Sequence, residues 1–302
     1  MIGLAVSLPS FAATIVLNPV ADTTLIQSSP NNNMGAQFFV NAGGSQQTNL
    51  AGIVMKNRGL FQFDFRSIPV GSKIRSVSLT LEVVLQQTEP PTPSNFDLHR
   101  VLRPWGEGTN TGTLQKPGQG APATTGEATW NNRLALTTNA WTVPGAASPD
   151  DFSPVVSASA AVFDSHDSPY HFGTSPGLEA DVQFWLNNPQ LNYGWIFISE
   201  SEGEIFTARR FGSREDPDNA PALAIDFFPP PQIQSPQIVS NRIQFSFIAE
   251  SDQSYIVQAT GSLPSTNWTL VTNIAPAPTA TNVTISQALS TGQQFYRVIA
   301  PQ

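Results

Sequence analysis

The stretch from Arg58 to Val84, RGLFQFDFRSIPVGSKIRSVSLTLEVV, limits the fold more than any other part of the chain. Leu60, Gln62 and Asp64 alternate with Phe61, Phe63 and Phe65. Successive side chains of an extended backbone point to opposite faces, so this period of two marks a half-buried β-strand and not a helix. A Pro and a Gly between Ser67 and Lys73 punctuate a turn. Ile74, Val77, Leu79, Leu81 and Val83 then resume the apolar pattern. The expectation is an antiparallel sheet with Phe63 between layers and one wet face.

The same reading extends over most of residues 14–228, with two loop-like exceptions. Residues 107–128 are rich in Gly, Thr and Pro, and residues 144–154 are similar. One segment has helical spacing instead: Leu178, Val182, Trp185 and Leu186, preceded by Pro176 and Gly177 and ended by Asn187, Asn188 and Pro189. Strands are expected at Tyr193 to Ser199 and at Ala222 to Phe228.

Pro229, Pro230, Pro231 and Pro236 suggest a linker over 229–236, because proline cannot donate to a sheet ladder. Charge also changes there. After Gln237 the ionisable side chains are Arg242, Glu250, Asp252 and Arg297, a net of zero, so the whole charge of −8 lies before the linker. Residues 237–302 therefore read as a separate neutral module of six or seven short strands.

Charged residues make up 12% of the chain, about half the usual share. An acidic chain lacks the basic footprint that nucleic-acid binding needs. With no cysteine, disulfides and thiolate chemistry are excluded. The opening MIGLAVSLPSFAA resembles the end of a secretory signal peptide cleaved near Ala13, although no Lys or Arg precedes Lys56. Export to the cell surface or beyond is expected. No segment has the roughly 18 consecutive apolar residues of a membrane span.

A set of landmarks then occurs in a fixed order. Asp22 is followed by Pro30, Asn31, Asn32, Asn33 and Gly35, then by the strand and turn from Leu60 to Pro69 and by Ile74 to Leu81. His99, Arg100, Val101, Trp105 and Glu107 come next, then Thr129, Trp130 and Asn131. Val182, Trp185, Asn188 and Gly194 form a helix-to-strand unit. Phe211, Ser213, Arg214 and Glu215, running on to Pro221 and Leu223, close the series. In this order they resemble the DNRLRE family of bacterial and archaeal extracellular modules, which is related to carbohydrate-binding jelly rolls attached to polysaccharide lyases. The tail, with Tyr255, Val257, Gln258, Asn267, Trp268 and the run Phe295 to Val298, resembles a fibronectin-III-like module of secreted bacterial proteins. Together the resemblances imply an all-β chain: a large antiparallel jelly-roll β-sandwich with one short helix, plus a small C-terminal β-sandwich. They imply a non-catalytic carbohydrate-binding or adhesion protein whose partner is a polysaccharide. A self-assembling subunit of a surface layer or fibre is the alternative, and a polysaccharide lyase or hydrolase a second one.

Several residues are candidates for chemistry. Arginine forks suit carboxylates, so Arg209, Arg210 and Arg214, with Arg100 and Arg103, are candidate contacts to an acidic sugar. Arg209 and Arg210 are neighbours on a strand-like run, so at most one can face a given ligand. The competing reading pairs Arg214 with Glu215 inside the protein. Trp141, Tyr170 and Tyr193 adjoin turn residues and are expected to be exposed stacking platforms. Trp185, Trp195 and the tail's Trp268 are expected in cores.

Trp105 with Glu107, and Glu127 near Trp130, could form a paired-carboxylate glycosidase site, or could instead satisfy loop backbone. Asp164, His166, Asp167 and His171 could hold a divalent metal, or form a polar turn. A structural calcium ion would need only oxygens, with Asp22, Asp226, Asp150 and Asp151 as candidates. No nucleophile elbow, phosphate loop or H-E-x-x-H motif occurs.

Overall fold

The computed structural model describes residues 12–86 and 93–301. Most of the expected leader, residues 1–11, lies outside them. Chain order gives β1 (Ala13–Leu17), β2 (Ala21–Ile26), β3 (Asn32–Asn33), β4 (Phe39–Thr48), β5 (Val54–Gln62), β6 (Lys73–Leu81) and β7 (Val83–Gln86). Next come β8 (Ser94–Val101), β9 (Ala121–Pro122), β10 (Phe152–Val162), β11 (Tyr170–Phe172) and the helix α1 (Pro176–Asn187). β12 (Trp195–Ser199), β13 (Arg209–Gly212) and β14 (Ala222–Phe228) complete the front part. The tail holds β15 (Gln234–Val239), β16 (Arg242–Ala249), β17 (Tyr255–Thr260), β18 (Thr269–Ile274), β19 (Thr281–Ala288) and β20 (Phe295–Ile299).

The chain is an all-β sandwich followed by a smaller one. The front part has a sheet in the order β1-β14-β6-β11 and an eight-stranded sheet, β10-β8-β12-β5-β4-β13-β7, with β2 also paired to β5. The tail has two three-stranded sheets, β15-β16-β19 and β18-β17-β20. Two compact units are distinguishable: residues 15–65 with 76–225, and residues 226–301 with 12–14 and 66–75.

Aromatic packing holds the first unit. Phe61, Phe63 and Phe65 are all buried, and each meets a ring from β12 or α1: Phe197 at 6.1 Å, Trp195 at 6.0 Å and Trp185 at 5.8 Å. Trp185 and Trp195 stand edge to face at 4.7 Å. Such offset contacts match the ring quadrupoles and add to the area buried. Phe63 lies just beyond the end of β5, where Asn192 Nδ2 donates to its carbonyl at 2.7 Å. The helix begins where Ser175 Oγ accepts from Leu178 N, with Pro176 at its first position, where a missing N–H costs nothing.

The expected wet face needs correction. Leu60, opposite in parity to Phe61, is also fully buried. It belongs to a second core with Leu25, Ile196, Val101, Trp130 and Trp141. The segment between β8 and β10 supplies both tryptophans, which lie between the two loop-like stretches 107–128 and 144–154, and covers this face of the large sheet. Gly145 makes the close packing possible: with φ at 91°, it sits where a Cβ would lie 2.4 Å from the Trp130 ring.

Two tail details also differ from expectation. β15 starts at Gln234, inside the expected linker, and contains Pro236. It is an edge strand with a register shift between Gln234 and Gln237, the setting in which a sheet tolerates proline. Trp268 is half-buried and lies outside the tail core of Phe245, Phe247, Tyr255, Val257, Ile285 and Val298. It precedes β18 and packs under the Arg297 guanidinium at 4.2 Å, whereas the neighbouring Val298, of opposite parity on β20, points into the core.

Candidate ligand-binding groove

Strand parity separates the two neighbouring arginines. On β13, Arg209 is opposite Ala42 of β4 and Gln86 of β7, while Arg210 is opposite Asn41 and Leu85. Arg209 is 1% exposed, and its guanidinium is held by backbone carbonyls: Nε donates to Phe163 at 2.5 Å and Nη1 to Thr207 at 2.9 Å. Although Arg209 borders the groove, its guanidinium is committed to these carbonyls, a structural role. Arg210 is half-buried with its guanidinium 4.2 Å from the Phe39 ring centroid. Burial lowers its pKa from the ordinary arginine value, though a guanidinium remains charged at any physiological pH.

Arg210 and Asn41 belong to a groove of about 550 Å³. The strands and their hairpin contribute Gln46, Gln47, Asn57 and Gln86, and the long loop contributes Gln115, Lys116 and Gln119 as a rim. The rim comes close to the strands, since a Cβ on Gly118 would lie 3.5 Å from Asn41 Nδ2 and 3.6 Å from an Arg210 terminal nitrogen. Among the described residues no Asp or Glu lines the groove. In a chain of net charge −8 its polar lining is thus amides, two serines and cations, beside apolar residues such as Leu85.

The other candidates lie elsewhere. Arg100 Nε is 3.5 Å from the buried carboxylate of Asp181, and its guanidinium covers the Phe184 ring at 4.4 Å. Burial raises the pKa of Asp181, against hydrogen bonds from Ser157 and Trp195. Arg103 is exposed, and its Nε donates to the Asp150 carbonyl at 3.1 Å. The expected stacking platforms fail on burial. Trp141 is 3% exposed and donates to the Thr129 carbonyl, and Tyr170 is 8% exposed with its hydroxyl bonded to Phe163 N and Asp164 O. Tyr193 is half-buried against the second core. Aromatics beside turn residues are buried here because the loop folds over a sheet face.

Arg214 pairs internally. Its Nε donates to Glu107 at 2.5 Å and lies 3.0 Å from Glu215, and its backbone N–H donates to Asp22 at 2.7 Å. Asp22, Glu107 and Glu215 bring one oxygen each within 4.8 Å of one another, the group of this kind among the described residues. Burial raises the pKa of Asp22 well above its ordinary value and also raises that of Glu215. The cluster does not suit calcium, because Arg214 already supplies the cation and occupies oxygens that a six- to eight-coordinate ion would need. The other calcium candidates do not join it: Asp151 accepts from Thr142 N and Ala147 N, Asp226 accepts from the Thr14 hydroxyl, and Asp150 is exposed.

The catalytic alternatives resolve into architecture. Glu107 accepts from Asp22 N and Arg214, and Glu127 from Thr109 N, Asn110 Nδ2 and Thr124 N, so both carboxylates hold loops. Asp164 Oδ1 accepts from His166 N and Asp167 N, a polar turn, while His171 Nδ1 lies 3.0 Å from the Thr80 hydroxyl. The landmarks Asp22, Asn33, Gly35, Glu107 and Arg214 thus meet in one node, completed by Asn33 Nδ2 donating to the Glu107 and Ala128 carbonyls. Sequence reasoning missed the groove amides, which come from scattered segments. The available signal was the parity of Arg209 and Arg210 together with the abundance of Asn and Gln.

No family model matches the chain, and no curated protein matches it. Among solved structures, a β-1,2-glucanase from Parabacteroides distasonis aligns with 96% of this chain and 34% of its own, at 10% identity and a TM-score of 0.18. This chain thus spans about a third of that structure, and a score so low carries no argument about function.

Proposed function

We propose that the chain is a secreted, non-catalytic binding protein that recognises an extracellular polysaccharide in the groove over β4, β13 and β7. The observation that carries the reading is the lining: side-chain amides with Arg210 and Lys116, and no carboxylate among the described residues, on an otherwise acidic protein. Amides both donate and accept, which matches the hydroxyls of a sugar, and a guanidinium adds a planar fork for hydroxyl pairs or carboxylates. A volume of about 550 Å³ is the size of an ordinary ligand site. The overall charge of −8 repels an acidic chain at long range, so attraction must act within about a Debye length of Arg210 and Lys116. The tail sandwich serves as a spacer or attachment module, and the front part is a DNRLRE-like jelly roll.

Affinity electrophoresis in gels containing neutral and uronate polysaccharides tests this reading. At least one polymer should retard the protein, and Arg210→Ala should weaken the retardation. Equal mobility in every gel would sink the proposal.

The self-assembly alternative rests on an observation of its own. β10 is an edge of the large sheet, and Val155 and Val156 on it are 68% and 41% exposed. An open edge of this kind can pair with another copy. Concentration-dependent growth in size-exclusion chromatography, abolished by Val155→Lys, would favour that reading.

A further inference from the structure

The two halves of the groove are held in different ways. The strand residues are fixed by the sheet ladder. The rim, residues 113–119, sits at the end of the long loop, whose limbs are tied by a few backbone bonds, Ala36 N to Asn110 O, Ala123 N to Asn31 O and the short β3–β9 pairing, and by side chains. Glu127 is the common acceptor at the base of that loop. It is 5% exposed; Oε1 accepts from Thr109 N at 3.0 Å, and Oε2 accepts from Asn110 Nδ2 at 2.6 Å and Thr124 N at 2.7 Å. Thr109 and Asn110 lie on the outgoing limb and Thr124 on the returning one, so a single carboxylate closes the loop on itself. Beyond this pinch, Asn32 Nδ2 donates to the Gln119 carbonyl at 2.8 Å and Gln37 Nε2 to the Pro117 carbonyl at 3.2 Å, which set the direction of the tip.

We infer that Glu127 is a positioning residue for the groove: by joining the two limbs, it places Lys116 and Gln119 over Arg210 and so determines which ligands the groove accepts. The inference rests on the groove being the binding site proposed above. Only a carboxylate suits the position. All three donors converge on it, and an acceptor-only group can serve them together, whereas an amide would turn an N–H₂ toward one of them. Glu127→Gln therefore opens one limb with almost no change in volume. Asn110→Ala removes one of the three donors from a less buried position and gives a milder version of the same defect.

The test has two arms. Hydrogen exchange on the full chain, without ligand, should show faster exchange over residues 109–124 in Glu127→Gln and a smaller effect in Asn110→Ala, with β4 and β13 unchanged. Affinity for the polysaccharide that retards the wild type should fall about tenfold in Glu127→Gln, the scale of one mispositioned charged contact. That loss should disappear when Lys116 and Gln119 are already alanine, because the carboxylate acts only through them. Unchanged exchange overturns the clamp. Faster exchange with unchanged affinity overturns its role in binding, and so does an equal affinity loss in the background without the rim side chains. The exchange arm needs no ligand, so a wild type that binds no polysaccharide overturns the binding reading separately from the clamp.

Discussion

The front sandwich and the tail module are both β-sandwiches, yet they differ in how much charge they bury. The tail has one core, centred on Phe245, Phe247, Tyr255, Val257, Ile285 and Val298, and holds only two of the 22 acidic residues. The front part buries both faces of its large sheet around Leu60 and Ile196 and places Asp22, Asp181, Glu202 and Arg209 inside. Burying charge is costly unless every partner is supplied. Those partners fix long segments that have little regular structure of their own: Glu202 accepts from Lys56 and Arg58, and Arg58 reaches on to the Gly145 and Ala146 carbonyls. Buried ion pairs in the front part hold long irregular segments, whereas the tail buries a single carboxylate, Glu250, and has shorter connections.

The largest expected effect tests the aromatic core. Phe63→Ala should cost the front sandwich about 3–5 kcal/mol, the range for removing a buried aromatic ring. If the linker separates two folding units, calorimetry should show the tail's transition unmoved. A single shifted transition would mean that the two parts unfold together.

Acidity should separate the regions next. Burial raises the pKa of Asp22, Asp181 and Glu215 above ordinary values of 3.8, 3.8 and 4.5. Their contribution is fully present below those values and is lost as pH rises through the folded ones. Glu202 behaves oppositely. Burial alone would raise it, but hydrogen bonds and charge from Arg58 and Lys56 lower it below 4.5, so its contribution is present above that value and lost as pH falls through the folded one. The front sandwich should therefore lose stability as pH rises through the raised folded values of Asp22, Asp181 and Glu215, and again in acid as pH falls through the lowered folded value of Glu202. Asp22→Asn should flatten the first change and Glu202→Gln the second. A tail made alone as residues 229–302 should vary less over the same range, and an equally steep profile would break the comparison.

The smallest effect concerns the tail's outer face. Trp268→Ala should cost about 1 kcal/mol, the value of a partly exposed cation–π contact, against about 3 kcal/mol or more for Phe247→Ala. Equal losses in urea titrations would return Trp268 to the core.

Much of the fold was legible in the sequence. The Phe61–Phe65 alternation, the helix around Trp185 and the strand ending at Phe228 rest on local periodicity, which extended and helical backbones impose directly, whereas the second sandwich was read from the proline cluster and the change in charge. What could not be read was what covers the second face of the sheet. Trp141 adjoins turn residues, so its surroundings resemble those of an exposed platform, and only the path of the loop buries it. The groove was half legible. Strand parity separates Arg209 from Arg210, but Asn41, Gln86 and Gln119 come together through pairings between distant segments, which no local pattern encodes.

The central claim, that the groove binds polysaccharide through Arg210, is tested most directly by measuring affinity and melting temperature together for Arg209→Ala and Arg210→Ala. Arg210→Ala should weaken binding by about 1–3 kcal/mol, the scale of a lost charged hydrogen bond, and leave the fold nearly as stable as the wild type. Arg209→Ala should do the reverse at the level of the fold, destabilising it by about 2–3 kcal/mol because buried carbonyls lose their donor. Full binding by a folded Arg210→Ala protein would contradict the account.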